Sequence, residues 1–370
     1  MEMKKYKLGD ILELQRGYDL TSAKMKNANI PVAGSNGVIG YHDVAKCITP
    51  CITVGRSGSV GKVHFYRDPV WVHNTALYVS NFKGNDPKYL YYLLSVLKLD
   101  VLCGSSVVPS LNRNVVYPME VPFCSDVGLQ NKISSILSTL DQRIENLRVQ
   151  NRVLEQTAKT IYDYTFLQCA GHQTTYNKTL NRNIPADWEV KKLAEIANIT
   201  MGQSPEGSSY NENGEGKIFY QGCTDFGVMF PTPRLYTTAP TRFAKVNDIL
   251  MSVRAPVGTL NIANAECCIG RGLAALNSKK VSNVFLYYVM KNFENHFKNA
   301  YSIGTTFGSI TKNDLYDLPV LYPDSKTLDL FSTQVSPLFK KQLVNSQQIE
   351  ALTTQRNTLL PLLMTGQIQL

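Results

Sequence analysis

Two stretches of the chain carry apolar residues in alternating steps of four and three, the pattern of a helix that buries one narrow stripe. In the first, Ile133, Leu137, Leu140, Ile144, Leu147, Leu154, Ala158 and Ile161 form the stripe, and Asn151 is its one polar seam residue. In the second, Leu338, Ile349, Leu352, Leu359 and Leu363 fall at the matching positions; Phe331 and Val335 extend the stripe upstream, while Gln342, Asn345 and Arg356 interrupt it. A long helix with a single stripe needs a helical partner, so the two are expected to pair as an antiparallel coiled coil. The alternative is that each packs on its own domain. Asn151 and Arg356 occupy equivalent seam positions, where polar residues fix register at some cost in stability.

Ahead of each helix, short β-branched and aromatic runs punctuated by Gly and Pro predict strands, with one helical stretch near residues 87–98 and another near 282–299. The fold class is therefore α+β: two similar mixed α/β globular domains, each followed by a long helix, related by pseudo-twofold symmetry. The expected divisions are residues 1–125, a helix at 126–167, a polar linker at 168–186, a second domain at 187–325 and a second helix at 326–370.

The two domains are one repeat. Leu8-Gly9-Asp10-Ile11 with Gly17 corresponds to Leu193-Ala194-Glu195-Ile196 with Gly202. Further on, Ile52 to Gly61 matches Ile249 to Gly258, Tyr89 to Leu93 matches Phe285 to Val289, and Gly104-Ser105-Ser106 matches Gly304-Thr305-Thr306. Ser110, Asn114 and Tyr117 then fall opposite Ser309, Asn313 and Tyr316. The offset drifts slowly along the chain, as it does when homologous cores carry different loops. Paired helices of ~1.5 Å rise per residue would hold two heads apart by a seam of roughly 50 Å. Since a DNA turn is about 34 to 36 Å, two heads could read one duplex face about a turn apart.

Charge narrows the partner class. The chain is 370 residues long with a formal charge of +9, which favours polyanionic partners. Residues 1–125 carry 14 basic and 9 acidic residues, whereas 187–325 carry 13 of each, so the excess is spread thinly and no basic tail grips a backbone. The eight cysteines include no C-x-x-C pair, and no H-x-H or H-E-x-x-H completes a zinc site, so they are read as reduced thiols. No run approaches the 18 apolar residues of a membrane span and no apolar signal region opens the chain, so a soluble cytoplasmic protein is expected.

Taken in order, several motifs resemble the specificity subunits of type I restriction-modification enzymes. They are Pro185-Ala186-Asp187-Trp188-Glu189-Val190-Lys191-Lys192-Leu193, then Gly304-Thr305-Thr306 leading to Ile310-Thr311-Lys312-Asn313-Asp314-Leu315, then Arg356 with Leu359 to Ile368. The resemblance spans essentially the whole chain. Two departures stand out: the proline-rich junctions read Val121-Pro122-Phe123 and Leu318 to Pro323, and the first domain lacks the Trp-containing opening. The resemblance implies a subunit with no catalysis and no bound cofactor of its own. It would bind double-stranded DNA through two target recognition domains and join two methyltransferase subunits, largely through its helices. It would also join two restriction/translocase subunits. The methyltransferase would use S-adenosylmethionine, the nuclease ATP and Mg.

Candidate DNA-binding side chains come from loops. Arg56, with Ser57 beside it, and Arg254 are read as equivalent sites beside a tight Gly-containing turn, where a guanidinium can meet guanine O6 and N7, or else tie down its own loop. Gln221 and Thr224 in the segment 220–225, and Arg271 between two glycines, have the same character. Lys62, Arg113, Arg242 and Lys312 suit phosphate contacts, although scattered surface charge is the competing account. Tyr91, Tyr92, Tyr287 and Tyr288 lie in helical context and are read as core.

Enzyme signatures are missing. The stretch 55–63 resembles a phosphate loop, but Arg56 stands where Gly is needed and Val63 lacks the hydroxyl. Two rival readings remain: the recognition half of another multi-subunit methyltransferase or nuclease system, and a structural repeat scaffold without DNA affinity.

Overall fold

A computed structural model of the chain describes residues 3–102, 109–280, 282–302 and 309–368. The matched triplets at 104–106 and 304–306, and Cys103, lie outside the described residues. The chain forms two compact units, Met1–Glu145 with Glu350–Leu370, and Asn146–Ile349.

The first unit is built on a four-stranded antiparallel sheet in the order Glu13–Arg16, Ala76–Asn81, Cys51–Gly55, Val63–Tyr66. Cys51, Ile52, Thr53, Val54 and Gly55 are all buried, as expected of a central strand covered on both faces. A three-stranded sheet joins Gly37–His42, Ile30–Gly34 and Trp71–Val72, the last pair parallel. The helix Pro87–Val96 starts with Asp86, whose carboxylate accepts from the Tyr89 amide at 2.7 Å, and with Pro87 at its first position.

The second unit repeats this frame. Its four-stranded antiparallel sheet runs Ala197–Met201, Leu273–Ser278, Ile249–Ser252, Leu260–Ile262. Where the first unit has three accessory strands the second has five, in the order Tyr210–Asn211, Leu235–Thr237, Lys217–Tyr220, Cys267–Ile269, Phe243–Ala244. The extra strands account for the drift in repeat offset, because the added residues fall between Gly202 and Ile249. The tyrosines paired by sequence make equivalent bonds, since Tyr117 Oη donates to the Leu14 carbonyl at 3.1 Å and Tyr316 Oη to the Ile199 carbonyl at 2.9 Å.

The altered junctions prove to be clasps. Lys4–Lys7 pairs antiparallel with Glu120–Phe123, and Glu189–Lys192 with Pro319–Tyr322, so each domain closes its own ends just before its helix starts. Trp188 is buried against Phe166, with ring centroids 5.9 Å apart. The segment read as a polar linker contains a hairpin, Thr174–Asn177 with Arg182–Pro185. Arg182 anchors it by donating to the carbonyls of Phe166 and Leu167 at 2.9 and 3.0 Å.

The long helices run Val127–Tyr162 and Ser325–Met364, and each passes from one unit into the other. Gln130 fastens the first to its domain: its Nε2 donates to Asn85 Oδ1 and the Cys124 carbonyl, and its Oε1 accepts from the Asp86 amide. In the first unit, Ile133 and Leu137 share a core with Leu363 and Met364, and Arg356 Nη1 meets Asp141 Oδ1 at 3.2 Å. In the second unit, Ala158 and Tyr162 pack with Phe331 and Val335, and Asn151 Nδ2 donates to Ser346 Oγ at 3.0 Å. The partners of residues 141, 151 and 155 are 356, 346 and 342, so the partner numbers fall as the first helix ascends: the pairing is antiparallel. Both readings of the stripe hold, because the same residues also pack on the domains. Tyr92 and Tyr288 are core, as read from sequence, and their hydroxyls donate to Asp141 Oδ2 and Glu155 Oε2 at 2.7 and 3.1 Å. Burial pushes both phenols well above their ordinary pKa.

Candidate nucleic-acid interface

In each unit, a tight approach of two backbone segments shapes the loops that carry the candidate residues. Gly202 lies so close to the next segment that an added Cβ would sit 2.2 Å from the Gly270 carbonyl oxygen; at Gly17 it would sit 2.2 Å from that of His73. No other residue fits either place. Hydrogen bonds then lock the approach identically. Gly202 and Gln203 donate to Leu273 O and Ile269 O, both at 2.9 Å, and Gly17 and Tyr18 donate to Ala76 O and Val72 O at 3.0 and 2.8 Å.

A second shared turn stands beside it. Gly61 donates to Gly55 O and Gly258 to Ser252 O, both at 2.9 Å, and next to these Arg56 donates to Thr75 O at 2.8 Å and Val253 to Gly272 O at 2.9 Å. This corrects one sequence expectation. Arg56 is matched by Val253, and Arg254 is matched by Ser57, as the bridges Ser57 to Ser110 and Arg254 to Ser309 confirm. Adjacent positions in an extended chain point to opposite sides, so the two arginines are not equivalent. Arg56 is half-buried and its Nη1 donates to the Asn74 carbonyl at 3.2 Å, so it ties down its own loop.

The second unit gathers its candidates closely. Gly272 donates to the Gln221 carbonyl at 3.2 Å while its own carbonyl accepts from Val253, which sets Gln221, Arg271 and Arg254 around one glycine. Ile269 donates to the Arg242 carbonyl at 2.9 Å, and Ile310 to the Val253 carbonyl at 2.9 Å, bringing in Arg242 and the turn that leads to Lys312. Thr224 sits on the short turn Cys223–Asp225, where buried Asp225 is held by Arg234 at 2.9 Å. All six candidates are exposed. Lys312 lies 5.1 Å from the Tyr316 ring centre, whereas the side chains of Arg254 and Arg271 have no partner among the described residues.

The first unit spends more of its polar groups on itself. Lys62 Nζ donates to Asn36 Oδ1 at 2.8 Å, and Arg113 Nη1 to the Leu14 carbonyl at 3.2 Å. Arg113 lines an open cleft with Arg16, Lys83, Glu13 and Tyr117. Four neighbours of the shared turn escape sequence reasoning: Arg16, Asp19, Asn74 and, in the second unit, Ser204. Asp19 Oδ1 accepts from Arg16 Nη2 at 2.9 Å and also from Asn74 Nδ2, and Ser204 Oγ accepts from the Arg271 amide at 3.4 Å. Carrying the repeat alignment through residues 71–76 would have set Asn74 opposite Arg271.

This doubled frame matches a known family. The model of the type I restriction modification DNA specificity domain matches residues 1–156 and again residues 185–353. The chain belongs to that family. It is a type I specificity subunit with two target recognition domains. It is 32% identical over 323 residues to a Methanocaldococcus jannaschii protein named as a candidate MjaX type I specificity subunit, covering 84% of this chain and 76% of the relative. The MjaIX specificity subunit of the same organism is 26% identical over 334 residues, with the same shares covered. A crystal structure of a type I S subunit from M. genitalium superimposes with a TM-score of 0.71 at 18% identity, covering 98% of this specificity subunit and 96% of that chain, a likeness of fold. DNA recognition follows from the family.

Proposed function

We propose that this specificity subunit reads a bipartite double-stranded DNA target, one half-site with each recognition domain. It carries two methyltransferase subunits and two restriction/translocase subunits to that target. It has no catalysis of its own; S-adenosylmethionine belongs to the methyltransferase partners, ATP and Mg to the nuclease. The supporting observation is the loop frame at Gly17 and Gly202, built twice with the same hydrogen bonds and bearing exposed cationic side chains each time. Arg254, Arg271, Gln221, Thr224 and Ser57 are its base readers; Lys62, Arg113, Arg242 and Lys312 contact phosphate, and Arg56 supports a loop. The long helices supply docking surface for the methyltransferase and set the unread gap. The subunit works on DNA in the cytoplasm. Among the described residues no helix is long and apolar enough to cross a membrane.

The deciding experiment maps methylated adenines in DNA from cells expressing this chain with its cognate methyltransferase. Two short specified blocks around an unspecified gap are expected, and a single uninterrupted block, or no methylation, refutes the reading. A scaffold without DNA affinity is separated by salt titration of the assembled complex on duplex: affinity should fall log-linearly with salt as counterions are released.

A further inference from the structure

The shared frame makes it possible to compare the two reading loops atom by atom, and they differ in which donors they leave free. Backbone hydrogen bonds place Asp19 opposite Ser204, Asn74 opposite Arg271, and Ser57 opposite Arg254. In the second unit, Ser204 takes only the backbone amide of Arg271, at 3.4 Å, among the described residues. A serine cannot hold a guanidinium as an ion pair, so the Arg271 and Arg254 side chains both stay exposed and without a partner among the described residues. In the first unit, Asp19 takes the place of that serine and binds both Arg16 and the Asn74 side chain, while Arg56 grips the Asn74 carbonyl at 3.2 Å. The free guanidinium donors of the second loop thus have no counterpart at the matching places of the first. What the first offers is the Asn74 side-chain amide, held by Asp19 on a loop whose backbone Arg56 fastens.

That amide has defined chemistry. A carboxylate only accepts, so Asn74 must turn Nδ2 toward Asp19, which uses one of its two amide hydrogens. The second hydrogen and Oδ1 remain, a donor beside an acceptor, and this pair is complementary to N7 and N6 of adenine in the major groove. A guanidinium offers two donors and is complementary to O6 and N7 of guanine. We propose that the two domains read different purines: the first uses Asn74, oriented by Asp19, to read an adenine, and the second uses Arg271, left free by Ser204, to read a guanine. Asp19 and Ser204 are positioning residues, and the choice between aspartate and serine at that place decides which donors reach the DNA. This rests on the proposal that each domain reads one half-site.

The test maps methylation motifs for the full chain with its methyltransferase, wild type beside four variants. Asn74→Ala and Asp19→Ser should each lower preference for an adenine in one half-site about tenfold, as expected for loss of a bidentate contact. Arg271→Ala should lower preference for a guanine in the other half-site to a similar degree. Ser204→Asp, which leaves Arg271 in the chain but gives it an ion-pair partner, should reproduce that loss. The half-site read by the unaltered domain reports in each case that the complex is folded and active. Effects of Asn74→Ala and Arg271→Ala on the same half-site, on other bases, or on neither, overturn the assignment while the bipartite reading stands. A wild-type complex that methylates no two-part motif removes both.

Discussion

Arg254 shows how far a single residue can be judged from the chain alone. Its pairing with Arg56 rests on two arginines lying near a Val-Gly turn, yet the equivalent backbone bonds of the two units make it the counterpart of Ser57 and make buried Val253 the counterpart of Arg56. Chemical identity misleads where strand alternation, a period of two, decides correctly. The consequence is that the arginines should behave differently. Arg254→Ala should relax one base position in a single half-site by about tenfold, measured as the methylation motif, because an exposed side chain is lost without disturbing the loop. Unchanged selectivity would strike it from the readers. The loop residues as a class are legible from sequence only as polar groups next to glycine. Which of them are committed elsewhere depends on the folded loop: Asn74 reaches Asp19 across more than fifty residues of chain, and no local signature announces it.

At the scale of elements, the helices are nearly transparent. Ile133, Leu137, Ile144, Leu147 and Ala158 are buried as their spacing demands, since a long helix has one way to hide a stripe. The hairpin at 174–185 is opaque, because its first strand, Thr174–Asn177, is largely exposed and shows no alternation to read. Helix starts carry a further consequence. Asp324 caps Ser325–Met364: its Oδ1 accepts from the Thr327 amide at 3.0 Å and its Oδ2 from the Thr327 hydroxyl at 2.6 Å. The Thr327 hydroxyl, and then the helix amides, hold this carboxyl below its ordinary value of 3.8. A lowered folded-state pKa stabilises above the unfolded value and is lost as pH falls through the folded one. Asp324→Ala should therefore cost about 1 kcal/mol near neutrality, and the gap to wild type should close below pH ~3.8, as read by thermal melts across pH. A constant gap down to acid would rule out the charged cap. The polar seam residues also acquire partners: Asp141 with Arg356 in one unit, Asn151 with Ser346 in the other, each misplaced if the register slips by a turn.

For the whole molecule, the repeat is the decisive sequence signal, and both copies of the family domain fall on it. What it could not convey is how the chain divides, because the antiparallel helices assign each unit a part of both. Lengthening the helical spacer tests what they set. One heptad inserted between Glu145 and Asn146 should lengthen the unread gap or abolish methylation, and an unaltered gap would refute a spacer role.

Leu363 and Met364 belong to the core of the first unit and are 2% and 1% exposed there. The hydrophobic interior of the amino-terminal head is therefore complete only once residues made more than two hundred codons later have been added. A chain cut short of Leu363 would leave a wound in the interior of its first head.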